Sequence, residues 1–539
     1  MKTYDFDCGC KFPIIDENIK GIDGLPSIKI DYDNLNLRCP KAWELFTKGY
    51  TKGIFQLETN LGQSWAKKVQ PVTIEEISAL ISILRPGCLK GLLEGKSIAQ
   101  HYVDRKSGEE DFKTFHDLAT PVLENTYDLM IYQEQTLSMA KIFAGFNLQQ
   151  ADTLRKGIGK KKADIVAKCR TQFIEGCEKQ GIISADDATA LFDIIEKSNR
   201  YSFNKSHAVS YGVTGYMCAV VKAHFPLHFF TAWLNFASGK IKPREEIAEL
   251  VQEAKNFDIS VENPSIIYQN KDFTIDSNKV RYGIGSIKSV GLVEVENLLS
   301  NISTTEEKLG KKLKDFTWHE TLVYLLTDCR KDVVNNLIHA GALSNFGMTR
   351  NKMLFEYNKL KELNDKEIKW IKEFDKSLDL TGSIKNMIDG KKTVAKRKEK
   401  LHNILISLDN PSLNLADSTE IISRREEDVL GISLSCSRLD AKNTGFTNCT
   451  CKEFTSKKKT SNVIIPVQIS RVTEWAPKDA KDRKLCFLTA FDKTGKIEIM
   501  VPTPEYEKYS FLLFVGNTIA VSGSENAKSS LRAKVITQL

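Results

Sequence analysis

The chain has 539 residues, 41% hydrophobic and 27% charged, with 77 Lys and Arg against 69 Asp and Glu. That length calls for several domains, and the composition is that of a folded chain, which excludes the disordered and fibrous classes. The net charge of +8 permits nucleic-acid binding without demonstrating it, so where the charge sits matters more than its sum.

The longest apolar stretch, about 208–221, contains Ser210, Gly212, Thr214 and Gly215. It is shorter than the roughly 18 residues of a membrane span, and the start MKTYDFDCGC lacks an apolar signal core. A cytoplasmic protein without membrane association is expected. The 12 cysteines read mostly as reduced thiols. Two C-x-C pairs, Cys8/Cys10 and Cys449/Cys451, stand apart, but zinc ligands usually follow C-x₂₋₄-C and neither pair has a neighbouring His. No metal site is expected, although a knuckle of Cys436, Cys449 and Cys451 is left open.

Residues 1–50 read as irregular, with turn formers at Gly9, Pro13, Gly21, Gly24 and Pro26. The text from 51 to 240 is mostly helical. In VTIEEISALISIL, Thr73 and Glu76 make a capping box, and Ile74, Ile77, Leu80, Ile81 and Leu84 form one apolar face. Arg85-Pro86-Gly87 stops that helix, with the glycine taking the turn. Further helices are predicted over about 133–144, ended by Gly145, and 185–197, capped by Ser184. A mixed region covers 241–347. Residues 348–460, with the run KKTVAKRKEK at 391–400, read as a charged helical connector. From 461 to 539 apolar and polar residues alternate in five strands, with a hairpin tip at Asp492-Lys493-Thr494-Gly495, as in a small OB-like barrel.

The densest basic segment is 151–170, with seven cations against two acids. Gly157 and Gly159 break the helix where Lys160, Lys161 and Lys162 gather, so that N–H groups and ammonium ions can converge on phosphate. The bland alternative is a solvated turn. A second cluster, NRYSFNKSHAVSYG at 199–212, sets Asn204, Lys205, Ser206 and His207 beside Tyr201, Phe203 and Tyr211, a mixture suited to stacking a base and gripping a phosphate. Glu134, in Tyr132-Gln133-Glu134-Gln135, is accounted for by the helix dipole alone. Arg85 either contacts phosphate or caps the preceding helix.

GIFQLETN (53–60), LISILRPG (80–87), YVDRKSG (102–108), TYDLMIYQEQ (126–135), ADTLRKGIGKKK (151–162), YSFNKSHAVSYG (201–212) and KAHFP (222–226) together resemble the bacterial replicative DNA polymerase III alpha subunit, a family C DNA polymerase. YGIGSIKSVG (282–291), VVNNLIHAGALSNFG (333–347) and EDVLGISLS (427–435) match its later blocks, so the resemblance runs from about residue 34 to the end. It implies a multidomain α+β chain: a mainly α-helical fingers domain at 51–240, a duplex-binding helix-hairpin-helix region at 241–347, and an OB-like single-strand-binding barrel at 461–539. By the same resemblance Arg155, Lys156, Lys160, Asn204, Lys205, Ser206 and His207 bind the incoming dNTP. Arg85, Lys161, Lys162, Gly283, Gly285 and Lys288 contact primer-template DNA.

The family's palm, whose three aspartates hold two Mg²⁺ ions, has no counterpart in the 52 residues before Gly53. The pairs Asp5/Asp7 and Asp31/Asp33 are read as non-catalytic, since no palm-sized sheet fits there. The resemblance therefore implies one part of a split DNA polymerase, as in a phage-type replication system, with 1–50 as a docking segment. A second chain would supply the palm, the PHP domain and the Mg²⁺, and this chain would be inactive alone. The alternative is a non-enzymatic DNA-binding replication accessory protein derived from a polymerase. No clamp-binding peptide is evident between 348 and 425, which leaves use of a sliding clamp open.

Overall fold

The helix Ile74–Ile83 is more deeply set than one apolar face requires: every residue from Ile77 to Ile83 is buried. Thr73 caps it by accepting a hydrogen bond from the Glu76 N–H, while Glu76 accepts from Val72 N–H at 2.7 Å, so the box closes one residue further back than its sequence signature. Its main partner is the long helix Lys205–His224, the apolar stretch of the sequence. A Cβ on Gly212 would lie 2.9 Å from the Ser78 hydroxyl and one on Gly215 would lie 3.1 Å from the Phe55 carbonyl. The small residues that interrupt the apolar run are therefore there for close approach. Among the described residues no helix is long and apolar enough to cross a membrane.

The computed structural model describes residues 3–20, 26–30, 32–373, 379–390, 394–476, 484–526 and 530–539. The chain divides into two compact units, Met1–Phe229 and Phe230–Leu539. In the first, the N-terminal stretch is not irregular. Strands Thr3–Asp5, Lys11–Lys20 and Pro26–Ile28 form an antiparallel sheet in that order, and helix Pro40–Thr47 follows. Gly9, at φ +81°, lets the first hairpin turn through Cys8 and Cys10. Beyond the central pair of helices, Gln133–Ala144, Leu148–Gly159, Ala163–Gln180 and Ala185–Asn199 pack around a shared core that includes Phe143, Leu154, Phe173 and Phe192.

Several local expectations need correcting. Gly87 does not take a turn: it lies inside a short helix, Pro86–Lys90, and a Cβ there would come within 2.6 Å of Tyr201 Cβ. Gly157 and Gly159 do not break their helix, which runs through Gly159. Gly157 allows close approach to Ile165, and the chain reverses at Lys161, at φ +54°.

The second unit begins with small elements, among them a three-stranded sheet in the order Val261–Glu262, Lys279–Arg281, Thr274–Asp276. Helices Leu292–Leu309 and Lys331–His339 follow. The stretch read as a connector is packed structure: Met353, Tyr357, Leu360, Ile384, Leu401 and Ile404 are all buried, with most of the Lys and Glu on the outer faces. Residues 391–393 of the basic run lie outside the described residues. Glu426, fully buried, anchors the later helices by accepting from Arg350, Asn263 and the backbone N–H groups of Leu434 and Ser435.

Strands Val463–Trp475, Leu485–Phe491, Lys496–Val501, Thr518–Glu525 and Leu531–Gln538 close a barrel. Counted within the barrel the order is 2-3-5-4-1, with strands three and five parallel and a helix, Thr503–Tyr509, between three and four. That is the Greek-key arrangement of the OB fold. Its core starts before the first strand, since Cys449, Cys451 and Phe454 are part of it. Cys449 and Cys451 are thus packing residues, and Cys436 donates to the Thr419 carbonyl instead of joining them.

Candidate nucleotide and nucleic-acid site

In the first unit, Tyr132 and Phe203 form an isolated parallel bridge: Phe203 N–H donates to Ile131 O at 2.8 Å and Gln133 N–H to Phe203 O at 2.9 Å. A helix follows each side, Gln133–Ala144 and Lys205–His224, so two N-termini begin side by side. The positive ends of two helix dipoles make such a place favourable to anions. Glu134 spans the pair, accepting from the Asn204 amide at 2.8 Å and the Lys205 N–H at 2.9 Å. It does more than offset its own helix dipole.

The predicted residues arrange themselves around this bridge. Arg155 donates to the Gln133 side chain at 3.0 Å and to Asp152 at 2.7 Å, which holds its guanidinium beside the first N-terminus. Arg85 stacks over the Phe203 ring at 3.5 Å, a cation–π contact. Burial lowers the Arg85 pKa, though the guanidinium stays charged at any ordinary pH. Lys205 pairs with Glu75 at 3.1 Å. The exposed His207 ring lies 3.9 Å from that of Tyr211. Asn204 and Ser206 serve the cap: Asn204 accepts from the His207 N–H and from the Ser206 hydroxyl.

A cleft of about 140 Å³ opens here, lined by Gln56, Thr59, Gly62, Arg85, Phe203 and Tyr211 among others. Gln56 sits at φ +67° in the 53–60 loop. The loop is held from beneath by Lys222, fully buried, which donates to the carbonyls of Tyr50 and Lys52 at 2.9 and 2.7 Å. The basic turn is next in the chain to Arg155. Lys160, Lys161 and Lys162 are exposed between the two helices. Lys156 is paired with Asp152 at 2.6 Å, and these hydrogen bonds from Lys156 and Arg155 hold the Asp152 carboxyl below the usual range.

In the second unit the glycines of YGIGSIKSVG do not present open backbone. Gly283 is buried, and a Cβ would come within 2.6 Å of the Asp272 backbone; the Gly285 N–H is used by the Lys271 carbonyl at 2.9 Å. Both glycines are positions of close packing. Lys288 is exposed, its backbone fixed by Val429 and Asn336.

Among the described residues no carboxylates gather into a metal-holding group. Asp5, Asp7 and Asp33 are exposed, and Asp31 lies outside the described residues.

Residues 12–181 match the family model for the bacterial DNA polymerase III alpha subunit finger domain, and 258–353 match a helix-hairpin-helix motif. The DNA polymerase III subunit alpha of Bacillus subtilis is 34% identical over 61% of this chain and 28% of its own length. That of Aquifex aeolicus is 36% identical over 60% and 26%. The Staphylococcus aureus protein (strain MSSA476) is 27% identical over 95% of this chain and 44% of its own length. The chain matches the fingers-to-C-terminal portion of bacterial DNA polymerase III alpha subunits. It spans less than half the length of these relatives. The finger match begins at residue 12, inside the stretch expected to be a docking segment.

The sequence pointed to most of the residues around the bridge but passed over Gln133 and Gln56. Gln133 had a signal, since it opens a helix beside the weighed Glu134. Gln56 had none, because its place depends on the buried Lys222 far along the chain.

Proposed function

We propose that this chain contributes incoming-dNTP and template binding to a DNA-directed DNA polymerase of the replicative type. The catalytic carboxylates, and the Mg²⁺ they would hold, belong to a palm outside residues 1–539. The observation that carries this is the convergence on the Tyr132–Phe203 bridge of two helix N-termini, Arg155 and Arg85, beside an aromatic-lined cleft. Dipoles and guanidinium groups favour a polyphosphate, and the His207–Tyr211 ring pair offers a face to a base. The three lysines of the 160–162 turn suit a nucleic-acid backbone, whose recognition has to be independent of sequence in a polymerase.

Arg155→Ala tests the assignment. Crosslinking of a photoreactive dNTP should fall about tenfold or more, as for removal of a charge-assisted bidentate pair. Affinity for primer-template should stay within about twofold. An equal loss of both would remove the nucleotide assignment. It would favour the second reading, a DNA-binding accessory protein without nucleotide binding.

A further inference from the structure

The reading of Cys8/Cys10 as a pair without a histidine fails in three dimensions, because His224, 216 residues from Cys8, comes to it. Cys8 and Cys10 flank Gly9 at the tip of the first hairpin, Cys39 is the N-cap of helix Pro40–Thr47, and His224 is the last residue of helix Lys205–His224. One potential ligand atom from each lies within 4.8 Å of all the others. We propose that Cys8, Cys10, Cys39 and His224 form a structural Cys₃His zinc site.

The distances carry the geometry. A tetrahedron with Zn–S of ~2.3 Å and Zn–N of ~2.0 Å has S···S edges of ~3.8 Å and S···N edges of ~3.4–3.5 Å. Here Cys8 Sγ and Cys39 Sγ are 3.7 Å apart, and His224 Nε2 lies 3.5 Å from Cys8 Sγ and 3.4 Å from Cys39 Sγ. Simple packing of thiols as small apolar groups does not require three edges of these lengths with a third sulfur, Cys10 Sγ, within 4.8 Å of each corner. Nor does it bring in an imidazole from 216 residues away whose Nε2 faces both the Cys8 and the Cys39 sulfur. Three sulfur donors and one imidazole, with no position left for water, are the ligand set of a closed zinc site rather than a catalytic one.

The surroundings hold each ligand in place. The Gly9 conformation turns the two hairpin cysteines together, and Asn36 donates to the Cys8 carbonyl at 2.8 Å. Tyr216 accepts from the Cys39 N–H and donates to the Asn36 carbonyl, so one tyrosine ties both approaches. Phe6 and Phe12 pack against the His224 ring at 4.3 and 5.6 Å, and Phe225 meets Phe12 edge-on. Cys10 and Cys39 are buried. Zinc here would fasten the N-terminal sheet to the C-terminal end of the helix whose first turn is Asn204–His207, closing a very long loop.

The experiment is metal analysis of the full chain, expressed with zinc and purified with reductant and without chelator. About one zinc per chain is expected, lost for the most part in Cys39→Ser and Cys10→Ser and kept in Cys436→Ser and Cys449→Ser. Should the ligand variants prove insoluble, Co²⁺ replacement in the unmodified chain decides. Sulfur-to-cobalt charge-transfer bands and strong visible bands of tetrahedral Co²⁺ are expected. A zinc-free protein that gives no such bands overturns the proposal. So does retention of zinc by the soluble ligand variants, or a Cys8–Cys39 disulfide in the reduced preparation.

Discussion

Two glycines two residues apart, Gly157 and Gly159, separate the two uses of the residue. A Cβ at Gly157 would lie 2.9 Å from Ile165 Cγ2 and 3.4 Å from its Cβ, atoms close to the backbone that cannot swing away. At Gly159 a Cβ meets nothing within 4 Å, and the backbone is still helical. Gly159→Ala should therefore stabilise by about 0.4–1 kcal/mol, through lower entropy of the unfolded chain. Gly157→Ala should destabilise, since forcing a methyl into a filled contact costs about 1–3 kcal/mol. Thermal unfolding of the two variants checks this: the midpoints should move in opposite directions from wild type. Movement of both upward would mean that the two helices are not in the close contact described.

The turn between helices Leu148–Gly159 and Ala163–Gln180 is where charge becomes available to a ligand. Lys160, Lys161 and Lys162 are exposed on it, while Lys156 is occupied by Asp152. Replacing the three turn lysines with alanine should shrink the slope of log K against log salt for duplex DNA by about 2–3, near 0.9 for each phosphate no longer neutralised. Lys156→Ala should change it little; an unchanged slope in the triple variant would remove this turn from the DNA surface. Such elements were largely legible in the sequence. The Ser184 cap and the Gly145 stop are chain-local signals, and the helices they bound stand about where the sequence puts them. What the sequence hid was every relation across the chain. Gly87 reads as a turn until Tyr201 is seen against it, and no chain-local signal puts Lys222 beneath the 50–52 carbonyls. Cys8 and Cys10 read as an incomplete pair for the same reason, as their histidine ends a helix 216 residues away from Cys8. The first 50 residues were misread because turn formers are many and two of the three strands have only three residues.

At the scale of the whole molecule, the proposed function asks the helical first unit to take a polyphosphate and the barrel of the second unit to take a single strand. In the barrel, Trp475 pairs with Leu485 and Thr473 with Phe487, so Trp475 and Phe487 are diagonal neighbours on one face. They are 51% and 41% exposed, so two large rings stand open side by side. Arg471, paired with Thr489, continues the same face. Stacked bases and a backbone cation are separable by salt. Trp475→Ala and Phe487→Ala should each weaken single-stranded DNA binding by about 1–3 kcal/mol and leave the salt slope intact, because a ring releases no counterions. Arg471→Ala should cost less affinity at high salt than at low, and should reduce the slope by about 0.7. Since all three side chains lie outside the barrel core, unfolding midpoints should stay at the wild-type value. Aromatic variants that bind like wild type would move single-strand recognition away from this face, and the polymerase reading would have to find its template path elsewhere on the chain.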